Sequence, residues 1–150
     1  MNGRTYRYFA GTPLWPFGYG LSYTHFGYGP LTVRPSGSGA TRRVHVETEV
    51  GNVGGVAGDE VAQLYLNFPD NPGTPRVALR GLQRLSLRPG EVRRIAFDLT
   101  PRDLSAVTIE GQRRVAKGAY RVSVGSGQPG TGVPVQSAAF MINQPMNLPE

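Results

Sequence analysis

In the segment Arg43-Val44-His45-Val46-Glu47-Thr48-Glu49-Val50, valine or threonine alternates with charged or polar side chains. Strict alternation is typical of a β-strand that has one face in the core and the other in water. An amphipathic helix would instead repeat its apolar side chains at spacings of three and four. The stretch therefore predicts a half-buried strand of an antiparallel sheet.

Similar short runs lie on both sides of this strand. Residues 61–68 carry apolar side chains at both parities, which predicts a strand in the centre of its sheet. Residues 100–104 predict one helical turn, capped by Thr100 and with Pro101 at its first position. The remaining predicted strands are residues 31–33, 79–87, 94–99, 107–109, 120–124 and 138–142, separated by loops rich in glycine and proline. This spacing predicts an all-β fold, a two-sheet antiparallel sandwich of about seven or eight strands.

The composition agrees with that fold and excludes several classes of site. The 150 residues include 21 glycines and 13 prolines, the two poorest helix formers. No cysteine occurs, which excludes disulfides, thiolate metal sites and a cysteine nucleophile. No apolar run approaches the roughly 20 residues that span a bilayer, so we expect no membrane partner. Residues 1–8 lack the apolar region of a signal peptide, so any export signal is expected upstream.

The net charge of +6 comes almost entirely from arginine, with Lys117 as the sole lysine. A basic balance of this kind raises the possibility of nucleic-acid binding. The arginines are scattered, however, as pairs on separate predicted strands: Arg42-Arg43, Arg93-Arg94 and Arg113-Arg114. Solvated strand arginines also discourage edge-to-edge aggregation. We therefore expect no nucleic-acid partner.

Residues 1–27 form an irregular aromatic-rich arm, followed by a predicted sandwich at 28–127 and a tail at 128–150 with a candidate edge strand at 138–142. The arm holds eight of the 14 Phe, Trp and Tyr residues, and its prolines and glycines interrupt any periodicity. Its aromatic rings are candidates either for packing or for stacking on a glycan. The packing interpretation is favoured because Pro16-Phe17-Gly18-Tyr19-Gly20 reads as a rigid turn. The candidate residues are Tyr6, Tyr8, Trp15, Phe17, Tyr19 and Tyr23.

Several motifs, in a fixed order, resemble the C-terminal part of a glycoside hydrolase family 3 enzyme, the β-glucosidase and β-xylosidase family. The first two are Gly3-Arg4-Thr5-Tyr6-Arg7-Tyr8-Phe9 and Pro13-Leu14-Trp15-Pro16-Phe17-Gly18-Tyr19-Gly20-Leu21-Ser22-Tyr23-Thr24. The next two are Val50-Gly51-Asn52-Val53-Gly54 and Ala57-Gly58-Asp59-Glu60-Val61-Ala62-Gln63-Leu64-Tyr65-Leu66. The last three are Leu79-Arg80-Gly81-Leu82, Leu87-Arg88-Pro89-Gly90-Glu91 and Gly118-Ala119-Tyr120-Arg121-Val122-Ser123-Val124-Gly125.

The resemblance spans roughly residues 3–125 and implies an immunoglobulin-like, fibronectin type III-like sandwich preceded by a linking segment. In that family the nucleophile is an aspartate on an N-terminal barrel, and the acid/base also lies upstream. The resemblance therefore implies no catalytic residue here, a periplasmic or secreted parent enzyme, and that enzyme's catalytic domains as partners. An arm without its neighbour would also leave apolar surface for self-association.

A search of the residues themselves for chemistry leads to the same expectation. Glycoside hydrolysis needs two carboxylates about 5–10 Å apart. Glu47 and Glu49 lie on the water-facing side of a predicted strand. Asp59 is expected to open a strand after Gly58, with its side chain forming a turn. Two histidines without a nearby carboxylate pattern are weak evidence for a metal site. The Gly-x-Ser-x-Gly motif expected of a serine hydrolase does not occur. We expect no metal and no cofactor.

These observations leave three functions open. A non-catalytic accessory domain that braces a glycosidase is favoured. An independent polysaccharide- or polymer-binding module is the alternative, since exposed aromatic rings can stack on sugars. A promiscuous esterase or other hydrolase is the weakest, because it rests on scattered serines and histidines alone.

Overall fold

The computed structural model describes residues 5–70 and 73–149, which form eleven strands, one α-helical turn and one 3₁₀ turn, Gly39–Thr41. The first six strands are β1 (Phe26–Tyr28), β2 (Thr32–Ser36), β3 (Arg43–Asn52), β4 (Gly58–Asn67), β5 (Ala78–Leu87) and β6 (Val92–Leu99). The α-helical turn α1 (Pro101–Leu104) comes next. The chain continues with β7 (Ala106–Val107), β8 (Arg113–Val115), β9 (Gly118–Gly125), β10 (Val135–Ile142) and β11 (Met146–Asn147).

Two antiparallel sheets face each other. In the first, β1 and β2 pair with β3, and β6 also pairs with β3. The second has the order β10-β9-β4-β5. A small third sheet, β11-β8-β7, lies beside them. The prediction of an all-β antiparallel sandwich of the immunoglobulin or fibronectin type III kind is confirmed, with seven described strands of five residues or more.

The core lies between the two large sheets. The predicted alternation of β3 is confirmed, since Val44, Val46 and Val50 are fully buried. They pack in one cluster with the inward side chains of β6, such as Ile95, and of β4, such as Leu64. Burying each of these aliphatic side chains stabilises the fold by about 1.5–3 kcal/mol.

Strand β4 lies between β9 and β5, the inner position that apolar side chains at both parities predicted. Its Leu64 and Leu66 belong to the core cluster. Tyr65, also fully buried, is not part of that cluster. The outer face of the second sheet is therefore covered at this point, and the covering segment is the N-terminal arm.

The pairing of β4 with β5 contains a β-bulge. Leu64 pairs with Gly81 and Tyr65 with Leu79, which leaves Arg80 without a partner in the ladder. Gly81 faces inward, because a Cβ there would lie 2.5 Å from the Phe97 ring. A bulge re-aims the extra side chain, so Arg80 leaves the regular alternation of the strand.

Two local features fix the turns of the sandwich. The predicted helical turn is confirmed, with a capping box in which the Asp103 N–H donates to Thr100 Oγ1 over 3.4 Å and the Thr100 N–H donates to Asp103 Oδ2 over 2.9 Å. On β9, the Tyr120 hydroxyl accepts from the Ala116 N–H and lies within donating distance of its carbonyl, both at 3.0 Å. Such a tyrosine, bonded to backbone a few residues upstream, is a corner found in immunoglobulin-like sandwiches.

Residues 135–142 form a full strand at the edge of the second sheet. β10 pairs with β9 along its whole length, and it places Phe140 and Ile142 in the core. The predicted edge strand at 138–142 is thus part of a longer one, and the structure joins it to the sandwich. At the other end, β1 begins at Phe26, inside the range assigned to the arm.

Candidate functional site: the aromatic arm

Tyr6 anchors the beginning of the arm to the outer face of the second sheet. Its ring stacks on Phe17 at 4.0 Å between centroids and meets Tyr65 edge-on at 6.5 Å. Its hydroxyl accepts a hydrogen bond from the Leu79 N–H, with 3.3 Å between the two atoms. Edge-to-face and offset-stacked rings are each worth about 0.5–1.5 kcal/mol beyond the area they bury. The inner side of this ring cluster is therefore a packing contact.

A tight turn holds the middle of the arm against β4. The Tyr19 N–H donates to the Pro16 carbonyl over 3.1 Å, and Gly18 between them has a φ of 77°. The side-chain amide of Gln63 donates to the carbonyls of Gly18 and Ser126, each at 2.9 Å. A Cβ on Gly18 would lie 2.1 Å from Gln63 Oε1, so the backbone at residue 18 lies closer to the Gln63 side chain than any residue with a Cβ would allow.

Gln63 was not singled out from the sequence, although it is the hub of this contact. Its Oε1 also accepts from the Tyr65 hydroxyl over 2.7 Å, and burial raises the pKa of that hydroxyl above its ordinary value. The signal that could have found it is a polar side chain in the middle of an apolar central strand. Buried amides need partners, and here the arm supplies one.

Asn52 fastens the end of the arm. Its Oδ1 accepts from Thr24 Oγ1 at 2.7 Å and from the Gly54 N–H at 3.0 Å. Its Nδ2 donates to the carbonyls of Val56 at 2.8 Å and Leu87 at 3.0 Å. All four hydrogen-bonding positions of this buried amide are thus occupied, and the arm is fixed where it enters β1.

The opposite side of the arm faces solvent with large apolar side chains. The rings of Trp15 and Tyr19 contact each other, with 5.4 Å between their centroids and 39° between their planes. An open cavity of about 380 Å³ lies between Trp15, Phe17, Tyr6 and Phe9. The most exposed apolar residues of the arm are Leu14 at 96%, Trp15 at 73%, Leu21 at 88% and Tyr23 at 102%. We call these four side chains the outer apolar face.

The six candidate residues thus separate into four groups. Tyr6 packs on Tyr65 of β4, and the partly exposed Phe17 ring stacks on Tyr6. Tyr8 lies half-buried with the Arg7 guanidinium 5.9 Å from its ring centroid. Trp15 and Tyr19 pair with each other, and Tyr23 is fully exposed. The structure therefore does not bring all six rings into one platform.

The acidic residues considered from the sequence have structural partners. Asp59 lies at the start of β4, as expected, but its side chain does not form the expected turn. Asp59 lies opposite Ser86 and accepts hydrogen bonds from the Ser86 hydroxyl at 2.6 Å and from Arg84 at 2.5 Å. These two hydrogen bonds hold the pKa of Asp59 below its ordinary value. Glu60, on the next position, accepts a 2.6 Å hydrogen bond from Tyr28, whose pKa is raised by burial and by that contact.

His45 lies on the outer face of the first sheet. Its Nδ1 is 2.7 Å from Asp98 and its Nε2 is 3.7 Å from Glu47. The hydrogen bond to Asp98 raises the pKa of His45. Across residues 5–70 and 73–149, no group of three acidic or histidine side chains is arranged so that it could hold a metal ion. In the same residues, no helix is long and apolar enough to cross a membrane.

Comparison with known proteins agrees with this geometry. A family model described as the fibronectin type III-like domain matches residues 60–128. A probable β-glucosidase L of Aspergillus fumigatus is 43% identical over 141 aligned residues, which cover 81% of this chain and 19% of that protein. A β-xylosidase of Formosa agariphila is 37% identical over 122 residues, and the alignment covers 81% of this chain and 17% of that protein.

Solved structures of β-glucosidases contain the same fold. β-Glucosidase 3B of Thermotoga neapolitana, in complex with α-D-glucose, superposes with a TM-score of 0.81 at 31% identity over 95% of this chain and 19% of that one. The β-D-glucoside glucohydrolase of Trichoderma reesei superposes with a TM-score of 0.74 at 32% identity. That superposition covers 87% of this chain and 20% of the other. The chain thus spans about a fifth of the length of its relatives, the fifth that contains their fibronectin type III-like domain. The chain is therefore a fibronectin type III-like domain, together with its preceding arm, corresponding to the C-terminal part of glycoside hydrolase family 3 β-glucosidases and β-xylosidases.

Proposed function

We propose that this chain is a non-catalytic accessory domain that braces the catalytic domains of a family 3 β-glycosidase through the outer apolar face of its arm. The observation that carries the proposal is the two-sided character of the arm. Its inner side is fixed to β4 through Gln63 and Tyr65, whereas Leu14, Trp15 and Leu21 project into solvent.

The exposed side chains fit an interface better than a free surface. The four large apolar side chains of this face are exposed within the ten residues 14–23, and exposed apolar surface of this kind marks contact surfaces. Aromatic residues held rigidly are favoured as interface anchors, since little conformational entropy is lost when they are covered. The turn at Gly18 supplies that rigidity. The relatives carry this domain within a chain about five times as long, so a neighbouring surface is available to cover the arm.

A chimera tests the proposal. In β-glucosidase 3B of Thermotoga neapolitana, the segment aligned with this chain is replaced by this chain, and the melting temperature and β-glucosidase turnover are measured. Leu21→Ser and Trp15→Ser are expected to lower the melting temperature of the chimera by several degrees and that of the isolated chain hardly at all. Met141→Ser is the matched control, because Met141 is 57% exposed on β10.

Equal effects of Leu21→Ser and Met141→Ser in the chimera would overturn the proposal. A chimera that neither folds nor turns over substrate would count against it as well, since a bracing domain of this family should support its catalytic neighbours.

A further inference from the structure

Three arginines converge where the arm meets the bulge of β5. The Arg76 N–H donates to the Arg7 carbonyl over 2.9 Å, which fixes the arm beside this strand. Arg80 donates to the carbonyl of Ser105 over 3.0 Å, and Arg113 donates to the Ser105 hydroxyl over 3.3 Å. Burial, and next the charge of Arg7, lower the pKa of Arg80. We call Arg7, Arg80 and Arg113 the arginine cluster.

Two donors of the cluster are unused. The Nε atoms of Arg7 and Arg80 are both buried and have no hydrogen-bond partner. Leaving a buried donor unpaired costs about 1–3 kcal/mol, and more for a charged group. The Arg80 guanidinium gains some compensation from a cation–π contact, since it lies 5.3 Å from the centroid of the Phe68 ring. Neither that ring nor the Tyr8 ring below Arg7 can satisfy an N–H as a carboxylate does.

The chain itself does not neutralise the cluster. Within the described part of the chain, the arginines that form ion pairs are Arg84, Arg93 and Arg94, all on other surfaces. The acid that acts on Arg80 is Asp103, whose Oδ2 is already held by the N–H of Thr100 at 2.9 Å and its hydroxyl at 2.6 Å. Like charges are therefore gathered, partly buried, without a counter-charge in contact.

We propose that the arginine cluster binds a carboxylate side chain of the polypeptide that packs on the arm. The proposal rests on the proposed function, because Arg7 belongs to the arm and the same neighbour would cover both surfaces. A guanidinium presents donors in a planar fork that matches a carboxylate, and a partly buried pair of this kind is charge-assisted. One acidic side chain at the exposed edge of these half-buried guanidinium groups would supply the missing counter-charge and offset the repulsion between the like charges.

The first test uses the isolated chain and needs no partner. Acetate is titrated at constant ionic strength while the Nε–H resonances of the arginines are followed by NMR. The resonances of Arg7 and Arg80 are expected to move further than that of the ion-paired Arg93. Equal movement, or none, would overturn the proposal.

The second test identifies the source of the carboxylate in the chimera. Arg7→Met keeps the apolar stem and removes the guanidinium. It is expected to leave the melting temperature of the isolated chain unchanged or slightly raised, and to lower that of the chimera by several degrees. Arg34→Met, at an exposed position of β2, is the control and should act alike in both proteins.

The outcomes separate the two proposals. If Leu21→Ser destabilises the chimera and Arg7→Met does not, the carboxylate proposal fails and the bracing function stands. If neither does, both fail. If phosphate moves the Nε resonances as acetate does and the chimera ignores Arg7→Met, the cluster binds free anions and the proposal is overturned.

Discussion

The carbonyl oxygen of Gly18 accepts a 2.9 Å hydrogen bond from the side-chain amide of Gln63, and no Cβ fits between the two residues. This contact lies on the outer face of the second sheet. It converts a polar side chain of a central strand into the attachment point of the arm. Beside this attachment the Tyr6 ring meets Tyr65 edge-on, and the Phe17 ring stacks on Tyr6.

Gly18→Ala should detach this contact. The φ of 77° alone costs a non-glycine residue about 1–2 kcal/mol, and the added methyl also displaces the Gln63 amide. Gly130→Ala is the matched control, since Gly130 has the same φ of 77° with nothing within 4 Å of its added Cβ. Urea unfolding is expected to show a larger loss for Gly18→Ala than for Gly130→Ala. Equal losses would mean that the backbone conformation alone matters.

Asn52→Ala should destabilise the whole sandwich. The substitution leaves the carbonyls of Val56 and Leu87 and the donors of Thr24 and Gly54 without this partner in a buried site. Each unsatisfied buried group costs about 1–3 kcal/mol, so we expect a loss of about 3 kcal/mol or more in the free energy of unfolding. Asn67→Ala is the control, since it removes one exposed hydrogen bond to Arg76. A loss no larger than that of the control would contradict the fourfold role of Asn52.

Stability should fall in alkali because of buried tyrosines. Burial raises the pKa of Tyr120 from 10.0 to about 12. Above pH 10 the unfolded chain loses this proton while the folded chain keeps it, so the contribution of Tyr120 to the free energy of unfolding declines until about pH 12. Tyr120→Phe is expected to be less stable at neutral pH, through loss of the bonds to Ala116, and to show a shallower alkaline decline. A decline parallel to that of the wild-type chain would contradict this assignment.

Local patterns predicted the strands, and long-range contacts account for what they missed. Alternation identified β3 and β6 because one face of each meets the core. Residues Thr100 and Pro101 predicted the helical turn because its cap is local. The partner of Gln63 lies 45 residues away, and no periodicity carries that information. The turn expected of the Asp59 side chain was wrong for the same reason, since its partners are on the neighbouring strand.

The alternative of a polysaccharide-binding module makes a separate prediction. A binding platform needs rings that share one plane, whereas Trp15 and Tyr19 are inclined by 39° and Tyr6 is turned inward onto Tyr65. We therefore expect the isolated chain to remain in the supernatant with insoluble cellulose, xylan and chitin, as measured by depletion assays at low and high salt. The high-salt assay screens the electrostatic attraction due to the +6 net charge, which would otherwise imitate specific binding. Retention at high salt that is lost in Trp15→Ala and kept in Met141→Ala would instead establish the arm as a glycan site, because only the first substitution removes an aromatic face.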